Sequence, residues 1–309
     1  MKILVIGSGS IGSYFGGRAA LGGAEVGVVV HRGLEKIKET GYQVSSIAGD
    51  FVFRPSAIFR SSVEVSGDID VVILATKVLP EIDRVQLLAP VAKLPSVPAI
   101  MLMQNGIGIE EEIHRAFPEN ELFSTIAYIG ASRLDFNRIV HSGSGRLITG
   151  VWGGGTSERL NKLAEIFHRS GVDCRISSNI ELERWRKLLW NLPFNPVSVL
   201  GGGLNSRELC DRSKIEELCS GLMDEVILTA NAAGVPLTRE MADEQFAYTR
   251  DFPPYRTSML QDYEAGRPLE VEAILGNLVR IAARYQVPVP MASVCYALLD
   301  SMDRKNRKK

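Results

Sequence analysis

Apolar spacing divides the chain into two textures. Through residue 178 short apolar runs of strand length alternate with helically spaced segments, and beyond it only helical spacing remains. Lys2–Ile6, Glu25–Val30, Asp70–Ala75 and Ala99–Met103 are nearly continuous apolar runs, as strands covered on both faces of a parallel sheet require. Ser13–Leu21, Leu34–Thr40 and Ser157–Ser170 fit helices, the last with Ser157 as N-cap. Tyr42–Ser46 and Asp50–Phe53 fit a hairpin around Ala48-Gly49. Thr125–Ala131, Ile139–Ser142 and Arg146–Val151 fit antiparallel strands, the last two joined by a turn at Ser142-Gly143-Ser144-Gly145, and Asp173–Ile176 fits a final short strand. From Asn179 onward, Ile180–Leu192, Arg207–Gly234, Arg239–Thr249, Glu270–Tyr285 and Ala292–Asp300 read as amphipathic helices, with Gly201-Gly202-Gly203 as a turn between two of them. The pattern predicts an α/β fold: a doubly wound parallel sheet over 1–178, followed by an all-helical domain over 179–309.

The first strand runs into Gly7-Ser8-Gly9-Ser10-Ile11-Gly12 and then a helix. Strand, Gly-x-Gly-x-x-Gly and helix in that order place a dinucleotide pyrophosphate against the helix N-terminus, where orphan N–H groups and the positive end of the dipole meet negative charge. Gly7 permits the turn, Gly9 leaves room for phosphate, and Gly12 lets helix and strand pack closely; Ser8, Ser10 and Ile11 complete the loop. Arg32, twenty positions past Gly12 at the end of the second strand, stands where an NAD-binding chain carries an acid. A guanidinium grips a 2′-phosphate through paired hydrogen bonds, so the expected cofactor is NADP(H).

A length of 309 residues favours two domains, and a formal net charge of -1 gives no general attraction to nucleic acid or to anionic membranes. Cys174, Cys210, Cys219 and Cys295 are scattered without a C-x-x-C pair, and the four histidines are isolated. The expectation is reduced thiols in a cytoplasmic protein with no metal site and no leader peptide. The basic end, Arg304 to Lys309, reads as a solvated tail. The apolar helices leave room for a homodimer.

Ligands of open α/β sheets bind outside the carboxyl ends of strands, which places Lys77 and Asn105 to face cofactor or substrate. In the second half, Lys187, Asn191 and Asn195 recur at i, i+4 and i+8 and depart by only about 40° from one line along a helix. One ammonium and two amides set among apolar residues suit an oxygen-rich small molecule. The competing reading gives Lys187 an exposed ion pair with Glu183 and leaves the asparagines capping a bend. Pro193 is expected to kink this helix. Glu270 opens a later helix, where a carboxylate complements the dipole.

The blocks KILVIGSGSIGSYFGG, ATK, MQNGIG, WRKLLWNLPFNPVSVL, TSMLQD and RPLEVEAILG, in that order, resemble the ketopantoate reductase family, NADPH-dependent 2-dehydropantoate 2-reductases of pantothenate biosynthesis. The resemblance implies a Rossmann domain followed by a helical one. It makes Lys187 the catalytic lysine and Glu270 the acid that assists it and borders the cofactor. Asn191, Asn195, Ser258 and Asn205 become substrate-side residues, and Asn105 and Lys77 line the nicotinamide side. Leu275 stands where the family's E-I-D-x-x-N-G has Asn, and Glu272 replaces its Asp, which leaves the exact 2-oxo acid open. Two alternatives remain: a reductase of another branched 2-oxo acid, and an NADP(H)-sensing regulator without turnover.

Overall fold

The computed structural model describes residues 1–211 and 213–307. The chain forms two compact units. One contains residues 1–77, 82–104 and 109–180; the other contains 78–81, 105–108 and 181–309.

The first unit carries one ten-stranded sheet: β1 (Lys2–Ile6), β2 (Glu25–Val29), β3 (Tyr42–Ser46), β4 (Phe51–Phe53), β5 (Ala57–Phe59), β6 (Val71–Leu74), β7 (Ala99–Leu102), β8 (Leu122–Asp135), β9 (Arg138–Val151) and β10 (Cys174–Ile176). Its helices are α1 (Ser10–Leu21), α2 (Leu34–Thr40), α3 (Arg84–Ala92), α4 (Glu111–Ala116) and α5 (Glu158–Arg169), the last capped by Ser157, whose side chain accepts from the Leu160 N–H. The strand order is β4-β3-β9-β8-β7-β6-β1-β2-β5, with β10 added to β9. β2 and β5 lie on one side of β1, and β6, β7 and β8 follow in order on the other, so the order reverses between β1 and β6. β1, β6 and β7 are buried at nearly every position, which is why they read as continuous apolar runs.

The expected turn at residues 142–145 is absent, and β9 runs on as one strand of 14 residues beside an equally long β8. The register slips instead: Tyr128 faces Arg146 and Ile129 faces Ser144, leaving Gly145 as the extra residue at φ +112. Buried His141 secures the bulge. Its Nε2–H donates to the carbonyls of Gly143 (3.2 Å) and Ser144 (3.0 Å), and its Nδ1 pairs with Ser46 Oγ at 2.8 Å. Burial pushes its pKa down, favouring this neutral form.

The second unit holds α6 (Ile180–Leu200), α7 (Lys214–Ala232), α8 (Arg239–Asp251), α9 (Ser258–Glu264), a π-helical turn at Glu272–Gly276 that runs into α10 (Asn277–Arg284), and α11 (Pro290–Asn306). α6 continues through Pro193 and Pro196 instead of ending near Leu192. Each proline removes a helix hydrogen bond, but Leu189, Leu192, Phe194 and Val197 are all essentially inaccessible. Burial of Phe194 and Val197 beyond the first proline, at about 1.5–3 kcal/mol each, offsets much of the local cost. The expected helix from Arg207 is interrupted: a 3₁₀ turn at Glu208–Cys210 precedes α7, which starts afresh with Ser213 as N-cap. α9 was hidden by its length of 7 residues, too few to show a period.

The basic end is tied down rather than frayed as far as Arg307. Arg304 pairs with Asp300, and Arg307 reaches both Asp303 (2.6 Å) and Glu81 (2.6 Å). Buried Asp303 also accepts the Leu269 N–H at 3.0 Å, anchoring the residue just before Glu270. Lys308 and Lys309 lie outside the described residues. Among those residues no helix is long and apolar enough to cross a membrane.

Candidate active site

At the carboxyl end of β1, Gly7 adopts φ +95, and a Cβ there would lie 2.5 Å from Thr76 N, so the glycine turn presses against the end of β6. Gly12 is equally constrained, since its Cβ would meet the Gly7 carbonyl oxygen at 2.3 Å. Gly9 differs: the space where its side chain would stand is open, and no side chain caps the helix it precedes. The first N–H groups of α1 therefore remain for a ligand, beside a void where the strand order reverses. Ser8 Oγ donates to the Val29 carbonyl at the end of β2, while Ser10 and Ile11 form the first turn of α1. This geometry fits a pyrophosphate. Gly12→Val is expected to cost about 1–3 kcal/mol of stability and to abolish dinucleotide binding. Thermal melting together with a fluorescence titration of NADPH checks both effects.

Arg32 is exposed just past β2, in front of Gly33 in the left-handed region. Lys36 in the first turn of α2 forms an ion pair with Asp135. Lys77 follows Thr76 past β6 and is half-buried. Beside it sequence reasoning missed Gln104, whose Nε2 donates to the carbonyl (2.7 Å) and hydroxyl (3.0 Å) of Thr76, tying the ends of β6 and β7 together. Buried Arg84 holds Gln104 in turn. The signal was an amide at a strand end, the same signal that singled out Asn105.

In the second unit α6 carries Lys187, Asn191 and Asn195 in one row. The asparagines are 4% and 2% exposed, so they do not cap a bend at the surface. Asn195 Oδ1 is buried with no hydrogen-bond partner among the described residues. Lys187 is half-buried, its Nζ 5.4 Å from the centre of the Trp190 ring.

Glu270 immediately precedes the helical run rather than sitting inside its first turn. Its two carboxylate oxygens accept from the Val78 N–H (3.1 Å) and from Asn105 Nδ2 (3.2 Å). The structure thus brings Asn105 and Glu270 together across 165 residues of sequence. Gly106, next to Asn105, could bear no side chain, because its Cβ would lie 2.6 Å from the Ala273 carbonyl. Ser258 is the exposed first residue of α9, behind Thr257 as N-cap. Asn205 has its Oδ1 committed locally, accepting from the N–H groups of Arg207 and Glu208. Leu275 is fully buried in the helical core, so the family's missing asparagine is replaced here by packing. Glu272 binds Arg280 (2.8 Å) and the Tyr296 hydroxyl.

The four cysteines are buried free thiols. Burial pushes Cys174 and Cys210 up to about 12 and Cys295 to about 11, and raises Cys219 as well, so none is a thiolate nucleophile at neutral pH. Among the described residues no group of His, Cys, Asp and Glu is arranged to hold a metal.

A doubly wound sheet with a glycine turn at its switch point, joined to a helical unit bearing a lysine–amide row, has the make-up of a two-unit oxidoreductase. Residues 3–154 match the family described as Ketopantoate reductase PanE/ApbA, and residues 179–303 match its C-terminal counterpart. The chain belongs to the ketopantoate reductase family. The 2-dehydropantoate 2-reductase of Nostoc sp. (strain PCC 7120) is 31% identical, over 99% of this chain and 96% of its own. The crystal structure of 2-dehydropantoate 2-reductase from Methylococcus capsulatus is 41% identical and superposes with a TM-score of 0.93, covering 100% of this chain and 99% of that one. D-mandelate dehydrogenase, solved with NADH and anilino(oxo)acetate, shares the fold at 24% identity and a TM-score of 0.87, covering 99% of each chain.

Proposed function

We propose that the chain reduces 2-dehydropantoate to pantoate with NADPH. One observation carries the reading: a lysine and two buried asparagines in a row on α6, with Asn195 Oδ1 lacking a donor. A buried acceptor left unmade costs about 1–3 kcal/mol, and the free hydroxyl of ketopantoate is a donor of the right kind. The fit of the cofactor rests on the open space at Gly9 and the uncapped α1. The loop from Gly7 to Gly12 would hold the pyrophosphate and Arg32 the 2′-phosphate, with Lys77 and Asn105 toward the nicotinamide end. When bound, the reduced nicotinamide supplies hydride to the ketone carbon.

Lys187, as an ammonium, hydrogen-bonds the ketone oxygen and gives it a proton as negative charge builds there, then recovers one from solvent. Asn191 and Asn195 hold hydroxyl and carboxylate oxygens so that the reacting carbon stays aligned, with Ser258 and the free amide of Asn205 as further contacts. Glu270 fixes the Asn105 side chain through its Oε2.

The test is the loss of NADPH absorbance when ketopantoate is added, with kcat/KM compared against smaller and aromatic 2-oxo acids. Highest kcat/KM on ketopantoate is expected. A higher value on another oxo acid assigns a different substrate, and a silent trace from protein that binds NADPH assigns a sensor.

A further inference from the structure

We infer that Trp190 is a positioning residue for Lys187, its indole face holding the ammonium in the one place from which the lysine acts. This rests on the reading of Lys187 as proton donor. The two residues are three apart on α6, so they share a helix face, and Nζ lies 5.4 Å from the ring centre, inside cation–π range. The indole cannot drift. Its Nε1–H donates to Thr249 Oγ1 of α8 at 3.0 Å, and that hydroxyl is itself fixed, donating to the Gln245 carbonyl at 2.6 Å. One face stacks on Tyr255, with centroids 5.8 Å apart and planes within 9°, and the edge meets Phe194 at 5.3 Å. Three neighbours, one on its own helix and two from residues 249–255, therefore lock a ring that is 8% exposed.

A lysine side chain has four rotatable bonds, and leaving it free spreads the ammonium over many rotamers. A quadrupole fixed on its own helix narrows that spread without neutralising the charge. An aromatic face attracts the ammonium without taking up its N–H donors in a directional way. The device gives a proton donor that is held yet still able to donate.

Trp190→Leu removes the π face and keeps apolar bulk; Trp190→Phe restores a face; Thr249→Val keeps the ring and removes its hydrogen-bond partner. With lysines carbon-labelled at the ε position, the Lys187 signal (identified by its loss in Lys187→Arg) is expected upfield from ring current in the unaltered protein. It should return to the ordinary lysine position in the leucine variant, move part of the way in Thr249→Val, and stay upfield with phenylalanine. In parallel, kcat on the working substrate should fall about 3- to 30-fold in the leucine variant with KM little changed, and phenylalanine should recover most of it. A Lys187 signal at the ordinary position in the unaltered protein, or one unmoved by Trp190→Leu, overturns the contact. A signal that moves while kcat stays at the unaltered value overturns the positioning role. The spectroscopic readout is independent of the one that tests Lys187 itself, since near-normal turnover in Lys187→Ala would remove the proton-donor reading and leave the contact with Trp190 standing.

Discussion

Lys187→Ala is expected to lower kcat by about 10²- to 10⁴-fold, the usual worth of a positioned acid, while the Kd for NADPH stays near its original value. The split follows from where the residues lie. Lys187 belongs to α6 of the helical unit, whereas the glycine turn and Arg32 belong to the sheet unit and keep every contact they had. Stopped-flow reduction and a fluorescence titration on the same sample measure both quantities. Turnover within a factor of a few of the starting protein would remove Lys187 from the chemistry. Lys187→Arg is a useful companion, because it keeps the charge but replaces a compact ammonium with a planar fork that releases its proton far less readily.

The second large effect concerns the choice of dinucleotide. Arg32→Glu is expected to weaken NADPH by about 10- to 100-fold, the worth of one or two charge-assisted hydrogen bonds, and to leave NADH unchanged or tighter. Glutamate repels a 2′-phosphate but accepts from a ribose 2′-hydroxyl, so the two cofactors should move in opposite directions. Lys36 does not compensate freely, being paired with Asp135. Equal affinity of the variant for both dinucleotides, at the starting protein's NADPH value, would show that the arginine has no part in the discrimination.

Much of this was legible in the chain because each signal had a local cause. Double burial makes β1, β6 and β7 continuous apolar runs, and steric closeness makes Gly7 and Gly12 obligatory. The row on α6 followed from helical period alone. What escaped was set by partners distant in sequence. The turn expected at 142–145 is a bulge because His141 gathers the carbonyls of Gly143 and Ser144 while Ser46 of β3 holds its other nitrogen. α6 outruns its prolines because of what it buries. By spacing alone Glu270 reads as a capping acid; its two oxygens instead accept from Val78 and Asn105, a pairing no spacing rule conveys. Gln104 and Trp190 were passed over for a related reason: each acts through a residue that was itself noticed.

The π-helical turn at Glu272–Gly276 bears on what this stretch of chain can tolerate. One extra residue per turn rotates everything downstream by about 100° relative to a regular helix. With it, Leu275 goes to the interior and Asn277 comes round to donate from Nδ2 to the Ile107 carbonyl at 2.6 Å, bracing the chain two residues beyond Asn105. The Asn277 amide thus serves as support for backbone. Excising one residue from that stretch would straighten the helix and swing the brace away, so a deletion here would cost more than most single replacements.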